Sequence, residues 1–286
     1  MNEQHLSAGG FDGYELIDSG EHMKLERFGT YTLARPDTQA IWKKSKPELW
    51  EKADATFAWK GGKGAWEMHT TIPESWEVPY GNLTFIAKLG NFKHTGIFPE
   101  QEPNWAWSRE KIQKLDKPEV LNLFGYTGAA SVVAAAAGAI VTHVDSSKAS
   151  VNWCKDNAVR SGLPEDAIRL IVEDARKYAK REAKRGAKYD GIILDPPAFG
   201  RGAKDEVWKI EEDLLPLLET LAELLSDKPG AFFLLNGYAA GYSPLSFHQL
   251  VQSVFPDATP EFGELRLSET ASSRSIPEGM YARFSR

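Results

Sequence analysis

The chain has 286 residues, 42% of them hydrophobic and 26% charged, with a formal net charge of −6. That length holds a full-sized α/β domain plus a smaller one, and no apolar run nears the ~20 residues that cross a bilayer. One cysteine, Cys154, and six scattered histidines leave no internal disulfide and no metal site, and the start, Met1-Asn2-Glu3-Gln4-His5, lacks a signal-peptide pattern, so a cytoplasmic protein is expected.

Residues 1–13 are polar and glycine-containing and read as a loose tail. From 14 to 107 the texture is short, aromatic and broken by turns. Tyr31-Thr32-Leu33-Ala34, Trp66-Glu67-Met68-His69 and Leu83-Thr84-Phe85-Ile86-Ala87 read as strands between Gly61-Gly62, Pro73, Pro79 and Gly81. Most of the nine tryptophans lie here or just after. They suit the core of a small β-rich domain better than a stacking platform.

From 108 to 286 strands alternate with helices, the signature of a parallel sheet. Strand one is Val120–Phe124, followed by an alanine-rich helix from Ala129 to Gly138. Strand two is Ile140–Asp145, with a helix from Lys148 to about Ser161. Strand three is Ile168–Val172, followed by a helix crowded with Arg176, Lys177, Lys180, Arg181, Lys184, Arg185 and Lys188. Strand four, Tyr189–Leu194, stops at Asp195, and a long helix is expected from about Glu206 to Leu225. Strand five is Ala231–Leu235, with a helix from Pro244 to Phe255, and two last strands surround Leu265 and Tyr281.

In such a sheet, ligands bind at the carboxyl ends of the strands. Phe124-Gly125-Tyr126-Thr127-Gly128 leaves strand one there, its glycines allowing close backbone approach to a ligand. Asp145 closes strand two about 20 residues later, with Ser146 beside it, where a carboxylate can accept ribose hydroxyls. The usual dinucleotide fingerprint is G-x-G-x-x-G, whose glycines make room for a pyrophosphate. Here only G-x-x-G stands, so a small cationic cofactor without phosphate fits better, and S-adenosylmethionine is the candidate. Asp174 sits where it could receive an adenine amino group, or simply cap the next helix. Strand four ends in Asp195-Pro196-Pro197-Ala198-Phe199, a carboxylate and a ring on a stiff turn. That combination suits a planar, nitrogen-bearing ring, although a turn whose Asp caps a helix has the same pattern.

Together, Asn122–Gly128, Asp145, Glu173-Asp174 and Asp195–Phe199 resemble the class I S-adenosylmethionine-dependent methyltransferases. More narrowly they resemble bacterial large-subunit rRNA methyltransferases with a D-P-P-x-F signature and a β-rich domain ahead of the catalytic one. The resemblance runs from about residue 14 to the end. Lys93-His94-Thr95-Gly96-Ile97-Phe98-Pro99-Glu100-Gln101 is similar to that family's K-T-G-x-F-x-x-Q element, which implies that Phe98 and Gln101 cover the cofactor. A packed linker is the plainer use of that stretch. The resemblance also implies a Rossmann-like seven-stranded sheet in the order 3-2-1-4-5-7-6, with an antiparallel last-added strand, and RNA as partner.

Two departures narrow the expectation. The stretch before Tyr14 is too short for the extra RNA-binding module that many relatives carry. Relatives that make 5-methylcytosine use a cysteine nucleophile beyond strand four, but this chain has Asn236-Gly237-Tyr238 after strand five, and Cys154 lies on the helix after strand two. Direct transfer to a nitrogen or oxygen lone pair remains, with a base nitrogen the expected acceptor, resting on positioning and electrostatics. Asp195 would hold the acceptor edge of a base on the Pro196-Pro197 turn, and Phe199 would stack on that base. Arg201 and Lys204, in a glycine-rich basic loop, would touch the RNA backbone, and Asn236 the base. The net charge of −6 argues against nucleic acid, and a solvated face also explains the basic helix. A protein or small-molecule acceptor, a nicotinamide-dependent oxidoreductase and a non-catalytic cofactor-binding module are therefore the alternatives. Oligomeric state has no signature in the sequence.

Overall fold

A computed structural model describes residues 3–60, 63–202, 206–238 and 241–286. The chain forms two units. One comprises Met1–Leu6, Pro103–Leu265 and Gly279–Arg286, and the other Ser7–Glu102 and Arg266–Glu278. The expected boundary at 107/108 thus falls five residues earlier, at the start of a helix. A hairpin late in the chain returns to the smaller unit, which no linear division of the sequence anticipates. The segment expected as a loose tail contains strand β1 (Gln4–Ser7) and a buried Phe11.

The smaller unit is β-rich, as its turn-punctuated sequence suggests. Strands β2 (Tyr14–Gly20), β3 (Met23–Phe28) and β4 (Tyr31–Pro36) form an antiparallel meander. After a single helical turn, α1 (Pro47–Trp50), strands β5 (Ala55–Lys60) and β6 (Lys63–Met68) complete a five-stranded sheet. A separate hairpin pairs β7 (Trp76–Tyr80) with β8 (Leu83–Ala87). Leu25, Phe28, Leu33, Phe57, Val78 and Phe85 form its buried interior. Trp76 is buried, whereas Trp59 is exposed, so the tryptophans are not uniformly core residues.

This unit also encloses charge. Lys24 pairs with Glu26, Asp37 and Glu278, and Arg35 with Glu26, all of them buried. Burial alone would raise the Glu26 carboxyl, but Arg35 and Lys24 beside it hold it down at about 2.

The larger unit follows the alternating pattern read from 108 onward. It contains α2 (Glu102–Ile112), β9 (Glu119–Leu123), α3 (Ala129–Ala136), β10 (Ile140–Asp145), α4 (Lys148–Arg160), β11 (Ile168–Val172), α5 (Ala175–Lys184) and β12 (Gly191–Leu194). A short hairpin of β13 (Phe199–Arg201) and β14 (Val207–Lys209) comes next, then α6 (Ile210–Leu224), β15 (Phe232–Gly237), α7 (Pro244–Val254), β16 (Glu261–Ser268) and β17 (Ser275–Ser285). The long helix expected from about Glu206 begins at Ile210, because Val207–Lys209 pairs with Phe199–Arg201 instead.

The sheet order is β1-β16-β17-β15-β12-β9-β10-β11. Strands β9, β10, β11, β12 and β15 pair in parallel, and β17 is antiparallel to β15. This is the order implied by the resemblance, with β1 added at the far edge. The chain winds outward from β9 in one direction and from β12 in the other, so a crevice opens between their carboxyl ends.

Residue parity divides the faces. Leu121, Leu123, Val144, Ile192, Leu194, Phe233 and Leu235 join one apolar core with side chains of α5, α6 and α7. Asn122, His143, Asp145, Asn236 and Arg283 fall on the opposite face. No helix among the described residues is long and apolar enough to cross a membrane.

Candidate active site

The turn from β9 into α3 is strained and tightly supported. Phe124 and Tyr126 adopt φ of 53° and 50°, and Gly128 has φ 83°, a left-handed conformation that costs a non-glycine residue energy. Both glycines are required by what lies against them. A Cβ on Gly125 would stand 2.4 Å from His143 Cε1, and one on Gly128 would stand 2.1 Å from Cys154 Sγ.

Asn122 donates to Ser131 Oγ at 2.8 Å, and that hydroxyl meets His143 Nδ1 at 2.9 Å, a buried polar cluster beneath the turn. Burial pushes His143 down to about 4, so the ring is neutral at physiological pH. Asn157 Nδ2 donates to the Thr127 carbonyl at 2.8 Å, and Thr127 is itself buried. Cys154 is therefore packing beneath Gly128, and burial pushes its thiol up to about 12.

Asp145 supports the same turn from the end of β10. Its Oδ2 accepts the Tyr126 N–H at 2.9 Å and its Oδ1 the Ser147 N–H at 2.8 Å. Burial raises its carboxyl above the ordinary value, and those two N–H groups oppose the rise. Each oxygen still has a lone pair to offer. Two such acceptors beside a turn of tightly placed glycines fit the vicinal hydroxyls of a nucleoside. Ser146, partly exposed, follows at the rim.

Asp174 is engaged within the protein. As N-cap of α5 it accepts the Arg176 and Lys177 N–H groups, and it also pairs with the Arg176 guanidinium at 2.8 Å. Arg176 in turn reaches Asp213 at 2.7 Å. The other cations of α5 are similarly engaged. Lys177 pairs with Glu206, Arg181 with Glu173 and Arg185 with Glu182. Of the basic cluster, Lys180, Lys184 and Lys188 make no ion pair among the described residues, and Lys188 Nζ donates to the Glu223 carbonyl at 2.8 Å.

Asp195 is different. Its backbone N–H reaches Leu123 O at 3.4 Å across the switch point, but its carboxylate has no hydrogen-bond partner among the described residues. Burial alone pushes it up to about 7. Among the described residues nothing offsets the desolvation of this carboxyl, a pattern common where a carboxylate serves a ligand.

Beyond it, Pro196 is buried, Pro197 is exposed and Phe199 stands 56% exposed. Trp208, buried on β14, fastens this turn. Its Nε1 donates to Pro197 O at 2.6 Å, and its ring lies 4.8 Å from that of Phe124. The turn after β12 and the turn after β9 are thus fixed by one side chain. The expected helix from Glu206 hid this residue, although the strand-forming pair Val207-Trp208 was a signal against a helix start.

The remaining candidates separate. Arg201 is exposed on β13, while Lys204 lies outside the described residues. Asn236, expected at the rim, is instead 5% exposed, with Oδ1 accepting from Asn104 Nδ2 at 2.7 Å. Phe98 and Gln101 belong to the smaller unit, where Gln101 is buried and its Oε1 has no partner among the described residues. Among the described residues no group of three His, Cys, Asp or Glu could hold a metal ion.

Residues 57–252, more than half of the chain, match a family model described as S-adenosylmethionine-dependent methyltransferase. A crystal structure of the SAM-dependent methyltransferase from Agrobacterium tumefaciens is 39% identical and superimposes with a TM-score of 0.93, covering 99% of this chain and 93% of that one. The Ribosomal RNA large subunit methyltransferase K/L of Desulfotalea psychrophila is 32% identical over 178 residues, 61% of this chain and 23% of that protein. Its counterpart in Syntrophotalea carbinolica is 32% identical over 166 residues, 57% of this chain and 22% of that protein. The chain matches less than a quarter of the length of these two relatives.

Proposed function

Because the chain belongs to the S-adenosylmethionine-dependent methyltransferase family, we propose that it methylates a nitrogen of an RNA base, in ribosomal RNA, without forming a covalent adduct to the enzyme. The observation that carries this reading is Asp195: a partly buried, desolvated carboxyl with no described partner, on a turn held by Trp208, four residues before an exposed aromatic ring. The relatives named as ribosomal RNA methyltransferases favour RNA as the acceptor class.

When bound, the cofactor supplies an electrophilic methyl group on a sulfonium. Asp145, with the Phe124–Gly128 turn that it braces, would hold the nucleoside end, with Ser146 alongside. Asp174 would offer the adenine its one oxygen that accepts a single described donor. Asp195 accepts an N–H of the acceptor base, which aims the nitrogen lone pair and receives the proton that nitrogen must lose. Pro196 and Pro197 keep the carboxyl from turning away, Phe199 stacks on the base, and Arg201 and Lys204 would meet the backbone. Cys154, the chain's only cysteine, is buried with its thiol pushed up to about 12, which argues against a covalent route to carbon.

One observation favours a different acceptor. The cations of α5 are mostly paired with acids and the net charge is −6, so attraction of polyphosphate is weak on that face. A protein or small-molecule acceptor is the second reading. Labelled S-adenosylmethionine offered with unmodified rRNA, a protein extract and a metabolite pool separates them. Label in rRNA that Asp195→Ala abolishes is the expected result, and label only in protein or metabolites overturns the RNA half. Binding without transfer to any of the three would leave a non-catalytic cofactor-binding module.

A further inference from the structure

Asn236 follows Leu235 on β15 as Asp195 follows Leu194 on β12, and Leu194 and Leu235 are paired in register. The two polar residues therefore stand side by side at the carboxyl ends of neighbouring parallel strands, about 4.8 Å apart across the sheet. Parity puts both on the face opposite Leu194 and Leu235. The hydrogen bond from Asn104 is the one that the Asn236 side chain makes among the described residues. Asn104, on α2, is fully buried, and its own Oδ1 accepts from Arg283 Nη1 at 2.8 Å. Arg283, on β17, is held in turn by Glu261 through Nε at 3.2 Å and Nη2 at 3.1 Å.

An amide alone can face either way, since its oxygen and nitrogen have the same shape. A guanidinium cannot, because it only donates. Arg283 therefore compels Asn104 to turn its oxygen inward and its NH2 toward Asn236. Asn236 must then offer its oxygen to Asn104 and turn its own NH2 away, where it has no described partner.

We infer that Arg283 and Asn104 are positioning residues whose task is to set Asn236 as an N–H donor beside the acceptor carboxylate of Asp195. A donor and an acceptor side by side complement a ligand edge that carries an acceptor next to an N–H, as nucleobase edges do. This rests on the proposed base-nitrogen acceptor and adds which atoms read its edge.

Asn104→Asp reverses the polarity. The new carboxylate still accepts from Arg283 but can only accept from Asn236, which must then flip and offer its oxygen to the ligand. The expected result is a fall in kcat/KM for the acceptor of about 10- to 100-fold, with the calorimetric affinity for S-adenosylmethionine unchanged within about threefold. In an Asn236→Ala background, Asn104→Asp should cost nothing further, whereas a merely structural role would add its loss and weaken the cofactor too. Arg283→Lys, which still donates, should keep most of the activity. Should Asn104→Asp fail to fold, Asn236→Asp places an acceptor where the NH2 stood and should show the same split. Normal transfer by both Asp variants overturns the inference. Absence of wild-type transfer to RNA instead sinks the acceptor assignment, and the same variants are then measured on whichever acceptor takes the label.

Discussion

Asp195 should make the protein less stable at the pH at which it works. Its folded carboxyl is pushed from 3.8 to about 7, with burial as the cause. The sign follows from proton uptake. Below 3.8 both the folded and unfolded states carry the proton, and the site costs nothing. Between 3.8 and 7 the unfolded carboxyl ionises while the folded one does not, so unfolding gains about 1.4 kcal/mol per pH unit. Above 7 the penalty levels off near ~4 kcal/mol, an upper value because the group retains some access to water. Asp195→Asn keeps the shape and removes the ionisation. It should therefore unfold at nearly the wild-type urea concentration near pH 4. At pH 5 it should gain about 1.5 kcal/mol, and at pH 8 up to about 4 kcal/mol, while losing methyl transfer. Urea titrations of both proteins at those three pH values, followed by tryptophan fluorescence and circular dichroism, give the comparison. A variant no more stable than wild type at pH 8, or a gain that does not grow with pH, would refute the placement of a desolvated, unpartnered carboxyl at this strand end.

The same group sets the expected pH profile of catalysis: kcat/KM should rise through an apparent pKa near 7 as Asp195 ionises, and a profile flat from pH 6 to 8 would remove it as the proton acceptor. Gly125→Ala should cost about 2 kcal/mol through its contact with the His143 ring. Adding His143→Ala should recover at least ~1 kcal/mol relative to the sum of the single changes, as thermal melts of the four proteins would show. Trp208→Phe removes the bond to Pro197 O but keeps a ring against Phe124. Stability should fall by about 1 kcal/mol and kcat several-fold, with cofactor affinity intact by calorimetry. Asp145→Ala should weaken S-adenosylmethionine binding by at least ~10-fold, since it removes both the acceptor and the brace on the Tyr126 N–H. Unchanged affinity would contradict the nucleoside assignment.

Much of the larger unit was legible because its information is local. Buried parallel strands such as Ile192–Leu194 and Phe232–Leu235 read as apolar runs, and helices as the polar-apolar repeats between them. The two ends of the site were legible for the same reason: a glycine turn, Asp145 and Asp-Pro-Pro each follow a strand within a few residues. What the sequence by itself determined, then, was the series of elements and the carboxyl ends at which chemistry would sit.

Pairing over long separations required the tertiary structure. Nothing near Gly128 in the sequence shows that Cys154 lies beneath it, or that Trp208 closes the turn begun at Pro197. The return of Arg266–Glu278 to the smaller unit is likewise a contact between distant segments. The basic helix could be read from the sequence as a polyanion surface or as a solvated face balanced by acids, and acids from Glu173 to Asp213 neutralise much of it, because charge balance is decided by neighbours in space. Asn236 shows the difference most directly. Its position after strand five could be read from the chain, but the atom it presents is decided by Arg283, 47 residues away, acting through Asn104, 132 residues away in the other direction. Hydrogen-bond polarity is transmitted through space, and only the fold brings the donor-only guanidinium to the end of that chain.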